Sequence, residues 1–408
     1  MKRSHFLLTL FLVLVSHCTF LKKDTLFKHI PSSHSGLDFI NELTITDSIN
    51  GLTFEYIYNG GGAAIGDLNN DGLKDVFFSG NMVTSRMYLN QGDLKFKDIT
   101  EKSNLTTSRW CTGASIVDIN DDGLKDIYIC VAGFEAGKSR ENIFFVNQGI
   151  DENGIPHFKD LAVELGVNDD GYSTMGVFFD FDKDQDLDLY VLTNSMEGAM
   201  RNALRPIRAD GEAESTDRLY RNEGNGFFAN ISREAGILIE GYGLGVAACD
   251  LNQDGWTDIY CSDDFISNDL LWINNRDGTF TESAGEYFSH FTNSGMGMDI
   301  ADFNNDGLLD VLVMDMLPVS NVRQKLMIPY RNTGKFYSSL EIGYLPQFLR
   351  NTLQLNQGKF KDGKYRFSEI GFLAGIYQTD WSWAPLFADF DNDGWKDLLI
   401  TNGFRKDV

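Results

Sequence analysis

Cysteine, histidine and proline are scarce in this chain of 408 residues, and each scarcity excludes something. Five cysteines are too few for a disulfide scaffold, because stapled folds are small and cysteine-dense. Cys111, Cys130, Cys249 and Cys261 lie in or beside apolar runs and read as small buried hydrophobes. No apolar run approaches the ~18 residues that a spanning helix needs. Positive charge is also short: 35 Lys and Arg face 59 Asp and Glu, a net charge of −24. That balance argues against nucleic acid, whose binding rests on neutralising phosphates. Seven prolines against 40 glycines, with 13% aromatic residues, argue against a disordered acidic chain.

The chain begins with Lys2 and Arg3, an apolar run from Phe6 to Val15, and then Ser16, His17 and Cys18. A basic start and a ten-residue apolar core read as a secretory signal peptide over residues 1–17, not as a span. The Val-Ser-His-Cys ending resembles a bacterial lipobox, which implies acylation of Cys18 and a membrane anchor without a span. An ordinary signal peptide with an incidental cysteine is the alternative. Residues 18–50 then read as a tether and N-terminal segment, and 51–408 as the folded part.

The folded part is a repeat. A nine-residue pattern, Asp-x-Asx-x-Asp-Gly-x-x-Asp, occurs six times. Its polar positions are Asp67, Asn69, Asp71 and Asp75 in the first loop and Asp118, Asn120, Asp122 and Asp126 in the second. The third has Asp180, Asp182, Asp184 and Asp188, with Gln185 in place of glycine and an extra acid, Asp186. The fourth has Asp250, Asn252, Asp254 and Asp258; the fifth Asp302, Asn304, Asp306 and Asp310; the sixth Asp389, Asp391, Asp393 and Asp397.

Between loops recurs a strand-like run ending in an asparagine, at Asn90, Asn147, Asn222, Asn274 and Asn356, followed by a glycine-containing turn. The distances from these asparagines to the next loop are 28, 33, 28, 28 and 33 residues. The reverse distances vary widely, so insertions enter at one place in the unit, after the strand that follows the loop. Short β-branched and aromatic runs flank each loop, and two more strands form the Asn-Gly hairpin. About four strands per repeat predict an all-β chain, a β-propeller of four-stranded blades, with a linear β-solenoid as the runner-up.

Oxygen donors at loop positions one, three, five and nine suit calcium, a hard cation taking six to eight oxygens. The carbonyl at position seven completes the set, from Leu73, Leu124, Asp186, Trp256, Leu308 and Trp395. Glycine at position six permits the left-handed turn. The six loops hold 22 of the 59 acidic residues, concentrated where up to six ions would sit. Gln185 enters that conformation only at a cost, which predicts a weaker or reshaped third site.

These repeats resemble the FG-GAP/VCBS repeats of integrin α-subunits. Trp383-Ala384-Pro385 ahead of Phe390-Asp391-Asn392-Asp393-Gly394 is close to that signature. Gly60-Gly61-Gly62, Asp315-Met316-Leu317-Pro318 and Asp380-Trp381-Ser382-Trp383 further resemble the exported Bacteroidetes proteins that end in an ASPIC/UnbV domain and are similar to cartilage acidic protein. The resemblance implies a calcium-loop propeller of seven blades, of which about six are present, so the chain reads as an N-terminal fragment broken off in blade six.

The function expected is a non-catalytic binding or adhesion module for protein or glycan, on an exported outer-membrane lipoprotein facing the periplasm or the cell surface. A place beside an outer-membrane complex would rest on the resemblance alone. Two insertions carry the candidate contacts: Arg201, Arg205 and Arg208 in one, Tyr330, Tyr337 and Tyr344 in the other. The alternative is a polysaccharide- or glycan-processing enzyme, or its accessory subunit, with its catalytic part beyond residue 408. Against an enzyme in this stretch, the four histidines left after the signal peptide, His29, His34, His157 and His290, neighbour no recognisable catalytic group. Neither a Gly-x-Ser-x-Gly elbow nor a His-Glu-x-x-His motif occurs.

Overall fold

The computed structural model describes residues 25–51, 53–133, 140–194, 204–328 and 333–403. The signal-like stretch, Cys18, Arg201 and Tyr330 lie outside them. Five four-stranded antiparallel sheets follow one another along the chain, each in simple up-and-down order; a sixth in the series has two strands, and a short parallel pair joins Phe291–Thr292 to Gln347–Phe348. Sheet 1 comprises Ala63–Gly66, Asp75–Phe78, Arg86–Asn90 and Phe96–Asp98. Sheet 4, a typical later unit, comprises Gly243–Cys249, Asp258–Asp263, Leu270–Asn274 and Phe280–Glu282. The sixth pairs Ser382–Ala388 with Asp397–Asn402. The first strands of successive sheets touch one another, which puts them on the inside of the stack. This is a propeller-like all-β fold.

The second strands explain why the sequence shows unbroken apolar runs there. Ile127, Ile129 and Val131 point toward sheet 1, while Tyr128 and Cys130 point toward sheet 3. Side chains alternate across a strand, so a strand covered on both faces is apolar at every position. Each of the five hydrophobic clusters lies between two neighbouring sheets, the last joining sheet 5 to the sixth pair. The core is a series of interfaces, the arrangement in which stability sums over neighbours. Cys111, Cys130 and Cys261 are buried in it as free thiols, and Cys249 is half-buried.

Each nine-residue loop joins the first strand of a sheet to the second. The connection from the second strand to the third leaves from the opposite end, and it is the one that varies. It spans residues 79–85, 132–142, 195–217, 264–269 and 314–351 in sheets 1 to 5, the last carrying helices Asn321–Met327 and Thr333–Glu341. The loops therefore occupy one face and the insertions the other. The segment expected as a tether makes contacts with the folded part from Phe27, whose ring meets Phe390 at 5.3 Å, onward. Phe39 stacks on Phe78, Tyr88 donates to Asp38 at 2.7 Å, and the Asn41 amide reaches Asn81 at 2.6 Å.

Candidate metal centres

All six loops close by the same backbone bonds. The position-one carboxylate accepts the amides of positions five and six: Asp67 takes Asp71 N–H at 3.1 Å and Gly72 N–H at 2.9 Å. Asp118, Asp180, Asp250, Asp302 and Asp389 repeat this. The position-five carboxylate takes the amide of position seven in every loop, from Leu73, Leu124, Asp186, Trp256, Leu308 and Trp395. Such bonds fold a short acidic segment around a point and aim its oxygens inward.

Position six is left-handed throughout, with φ of 87° at Gly72 and 90° at Gly394. Gln185 adopts φ 78° and still donates its amide to Asp180 at 3.1 Å, so the third loop keeps the common shape despite its departure in sequence. Position four is left-handed as well, which the pattern did not announce: Asn70, Asp121, Lys183, Gln253, Asn305 and Asn392 have φ between 52° and 65°. Its side chains tie neighbouring loops. Asn70 donates to the Gly123 carbonyl at 2.9 Å, Gln253 to Gly307 at 2.6 Å and Asn305 to Gly394 at 2.9 Å. Lys183 lies over the Trp256 ring at 4.4 Å.

The position-nine aspartate sits at the root of the second strand, and five of the six are fully buried: Asp75, Asp126, Asp188, Asp258 and Asp310. One oxygen of each accepts the backbone amide of the recurrent asparagine, Asn90, Asn147, Asn222, Asn274 or Asn356, at 2.8–3.0 Å. Burial, reinforced by the other loop carboxylates and partly offset by backbone amides, raises these acids to about 6 in Asp75, Asp126 and Asp310 and about 7 in Asp188 and Asp258. A cation in the loop would reverse that bias by favouring the ionised form.

The residues fit a hard cation. In loops 3 and 6 three carboxylates, Asp180, Asp182 and Asp188 or Asp389, Asp391 and Asp397, bring an oxygen each within 4.8 Å of one another. Asp182 and Asp310 keep the common loop arrangement, with the amides of Asp184 and Phe303 bonding to their carboxylates. In loops 1, 2 and 5 the position-three amides of Asn69, Asn120 and Asn304 donate to the position-five carboxylate at 2.9–3.0 Å, a bond with which an ion would compete. Loop 4 differs, because Arg276 donates to Asp254 at 2.9 Å and brings a fixed cation to its rim.

The predicted contacts in the insertions are placed differently from one another. Arg205 forms a two-pronged ion pair with Glu240, and the buried Tyr344 donates to the Arg205 carbonyl at 2.9 Å. Those two residues cement the insertions together, a pairing across 139 residues that no local pattern signals. Arg208 lies 3.7 Å from Asp210, and Tyr337 is 60% exposed.

Residues 67–129, 207–261 and 250–313 match the FG-GAP-like repeat family. Three of the repeats are FG-GAP-like. No curated protein matches the chain. Among solved structures it is similar to an Agrocybe aegerita lectin described as recognising non-reducing terminal N-acetylglucosamine, at 16% identity and TM-score 0.43, over 82% of this chain and 73% of that one. It is similar to a V. cholerae biofilm matrix protein at 15% identity and TM-score 0.36, over 74% of this chain and 38% of that one. A Bacillus licheniformis rhamnogalacturonan lyase is similar at 12% identity and TM-score 0.39, over 84% and 55%. The chain thus spans less than two thirds of the matrix protein and of the lyase.

Proposed function

We propose that this chain is an exported, calcium-binding propeller module, anchored through Cys18 at an outer membrane, that binds protein or glycan without chemistry of its own. One observation carries the reading: six oxygen-lined loops occupy one face, while the variable connections occupy the other. Calcium would be held by the carboxylates at positions one, five and nine, the Asx at position three and the position-seven carbonyl. It supplies positive charge that lets the buried position-nine acids ionise. The protein's own share is geometry: the position-four side chains link loop to loop, so one face is stiffened and the opposite face can present a fixed surface.

Several carboxylates away from the loops are engaged within the fold. Asp217 and Asp269 each accept a tyrosine hydroxyl, from Tyr190 at 2.6 Å and Tyr260 at 2.7 Å, and a backbone amide of the second strand. Asn142 and Asn351 stand at the same place in sheets 2 and 5 and accept the equivalent amides from Val131 and Asp315, so these acids are fold locks. Glu369 is held by Arg350 and by His290 at 3.3 Å.

The test is to incubate the calcium-loaded mature chain with immobilised polysaccharides and glycoproteins and to assay retention together with the release of reducing or unsaturated ends. Retention without release is expected. Turnover of any substrate would overturn the reading.

A further inference from the structure

On the insertion face lies an open concavity of about 2060 Å³. Its walls are the 3-10 turn Glu55–Tyr58, the helix Thr333–Glu341 and the strand ends of the sixth sheet. It exceeds the ~300–1,000 Å³ usual for a single small ligand, so it has room for a chain of several units. Aromatic side chains are prominent in its lining, among them Tyr56, Phe265, Phe336, Phe348, Tyr377 and Trp383. Amides of Asn293, Gln378 and Asn402 lie among them, each with one end held in the protein: Asn293 donates to Gln347 at 3.3 Å, Gln378 accepts from Gln324 at 3.4 Å and Asn402 donates to Thr379 O at 2.5 Å.

A second, independent feature marks the same wall. Phe265 and Ile266 are consecutive residues at positive φ, 38° and 78°. For a β-branched residue that is a costly conformation, and such outliers gather where a surface must hold a set shape. Gln347 holds them in place, donating to the Ile266 and Ser267 carbonyls at 2.9 Å each.

The charges of the lining are already engaged. Asp264 accepts the Tyr56 hydroxyl at 3.0 Å, Lys335 lies over the Phe265 ring at 4.5 Å, and Arg350 pairs with Glu369 while covering the Phe372 ring at 4.7 Å. Each of these charges has a partner within the protein, and a polyanion would meet a chain of net charge −24. What the lining offers is flat apolar faces beside amide donors and acceptors. That combination matches a ligand with alternating C–H faces and hydroxyl edges.

We infer that this concavity is a binding site for an uncharged oligosaccharide of several sugar units. The inference rests on the binding-module reading above and names its ligand class and its place. Phe336 lies between Tyr337 and Phe348, with ring centroids 5.5 Å from each, and faces the concavity. Phe227, in the turn before the strand Phe228–Asn230 of sheet 3, is 48% exposed and does not line it.

The test is calorimetric titration of the calcium-loaded chain with cellohexaose, mannohexaose, xylohexaose and maltohexaose, with hexagalacturonate as the charged counterpart and a random peptide library in parallel. At least one neutral hexasaccharide is expected to bind. Phe336→Ala should weaken that binding tenfold or more, and Phe227→Ala should leave it within twofold. Phe336→Leu keeps the helix and most of the apolar volume but removes the ring, and should show the same loss if Phe336→Ala fails to fold. Binding of neutral sugar that ignores both Phe336 variants, or binding of hexagalacturonate or peptides alone, overturns the assignment and leaves the binding module standing. Cleavage of any probe overturns both.

Discussion

Replacing Asn274 by alanine tests whether the recurrent asparagine ties sheet to sheet. Asn274 is 3% exposed, and its amide nitrogen donates to Phe181 O of sheet 3 at 2.8 Å and to Thr257 O of its own sheet at 3.3 Å. Its Oδ1 accepts Arg276 N–H at 2.8 Å. Asn147 and Asn356 make the same cross-sheet reach, to Leu68 O at 3.2 Å and Leu251 O at 3.4 Å. Asn90 and Asn222 keep the local bonds, to Lys74 O at 2.9 Å and Leu187 O at 3.3 Å, and among the described residues reach no other sheet. A buried polar group left without a partner costs about 1–3 kcal/mol. Asn274→Ala strands the buried Phe181 carbonyl while water reaches Thr257 O and the Arg276 amide, so we expect a loss of about 2–3 kcal/mol, against about 1 kcal/mol for Asn90→Ala, where water replaces all the lost bonds. Urea unfolding in calcium-containing buffer reads the difference as a midpoint shift at constant slope. Equal losses in the two groups, Asn147, Asn274 and Asn356 against Asn90 and Asn222, would refute the tie.

Three further outcomes follow from the same geometry. Burial holds Asp217 and Asp269 at about 7, above the ordinary carboxylate value, so folding favours their protonated forms. Their contribution to stability is full below about pH 4 and is lost as pH rises through about 7, so Asp217→Asn and Asp269→Asn should flatten the decline of the urea midpoint between pH 5 and 8. An unchanged slope in both variants contradicts that assignment. Gln185→Gly should stabilise the chain by about 0.5–1 kcal/mol, because it relieves a left-handed non-glycine residue while adding some unfolded-state freedom; destabilisation would show that the Gln185 side chain holds the loop. Asn305→Gly keeps the backbone shape but removes the bond to Gly394, and calcium titration should then show weaker coupling between loops 5 and 6, while identical isotherms would mean that the loops act alone.

The loops were legible in the sequence because their chemistry is local. Acid spacing, the left-handed glycine and the flanking apolar runs all fall within about twenty residues, and the constant Asn-to-Asp distances showed where insertions enter. The structure adds what depends on neighbours. Asn70, Gln253 and Asn305 read as interchangeable polar residues until the next loop's carbonyl is placed beside them. Tyr344 looked like a surface aromatic and is buried, because its partner Arg205 is remote in sequence. The third loop was expected to be weaker or reshaped because of Gln185; the surrounding bonds give it the common shape, and Asp182 at position three adds a carboxylate to its cluster. The concavity on the insertion face draws on residues from Gly51 to Gly403, a span no motif can cover.

The most direct test of calcium as the partner of these loops is thermal unfolding of the mature chain in excess EGTA, then in millimolar calcium, with magnesium at the same concentration as control. Each site filled at a hundred times its dissociation constant adds about 2.7 kcal/mol to the folded state. We expect a large rise in melting temperature with calcium and little with magnesium, whose small octahedral shell suits these many-oxygen loops poorly. The same melting temperature in EGTA and calcium, or an equal rise with magnesium, would contradict the account.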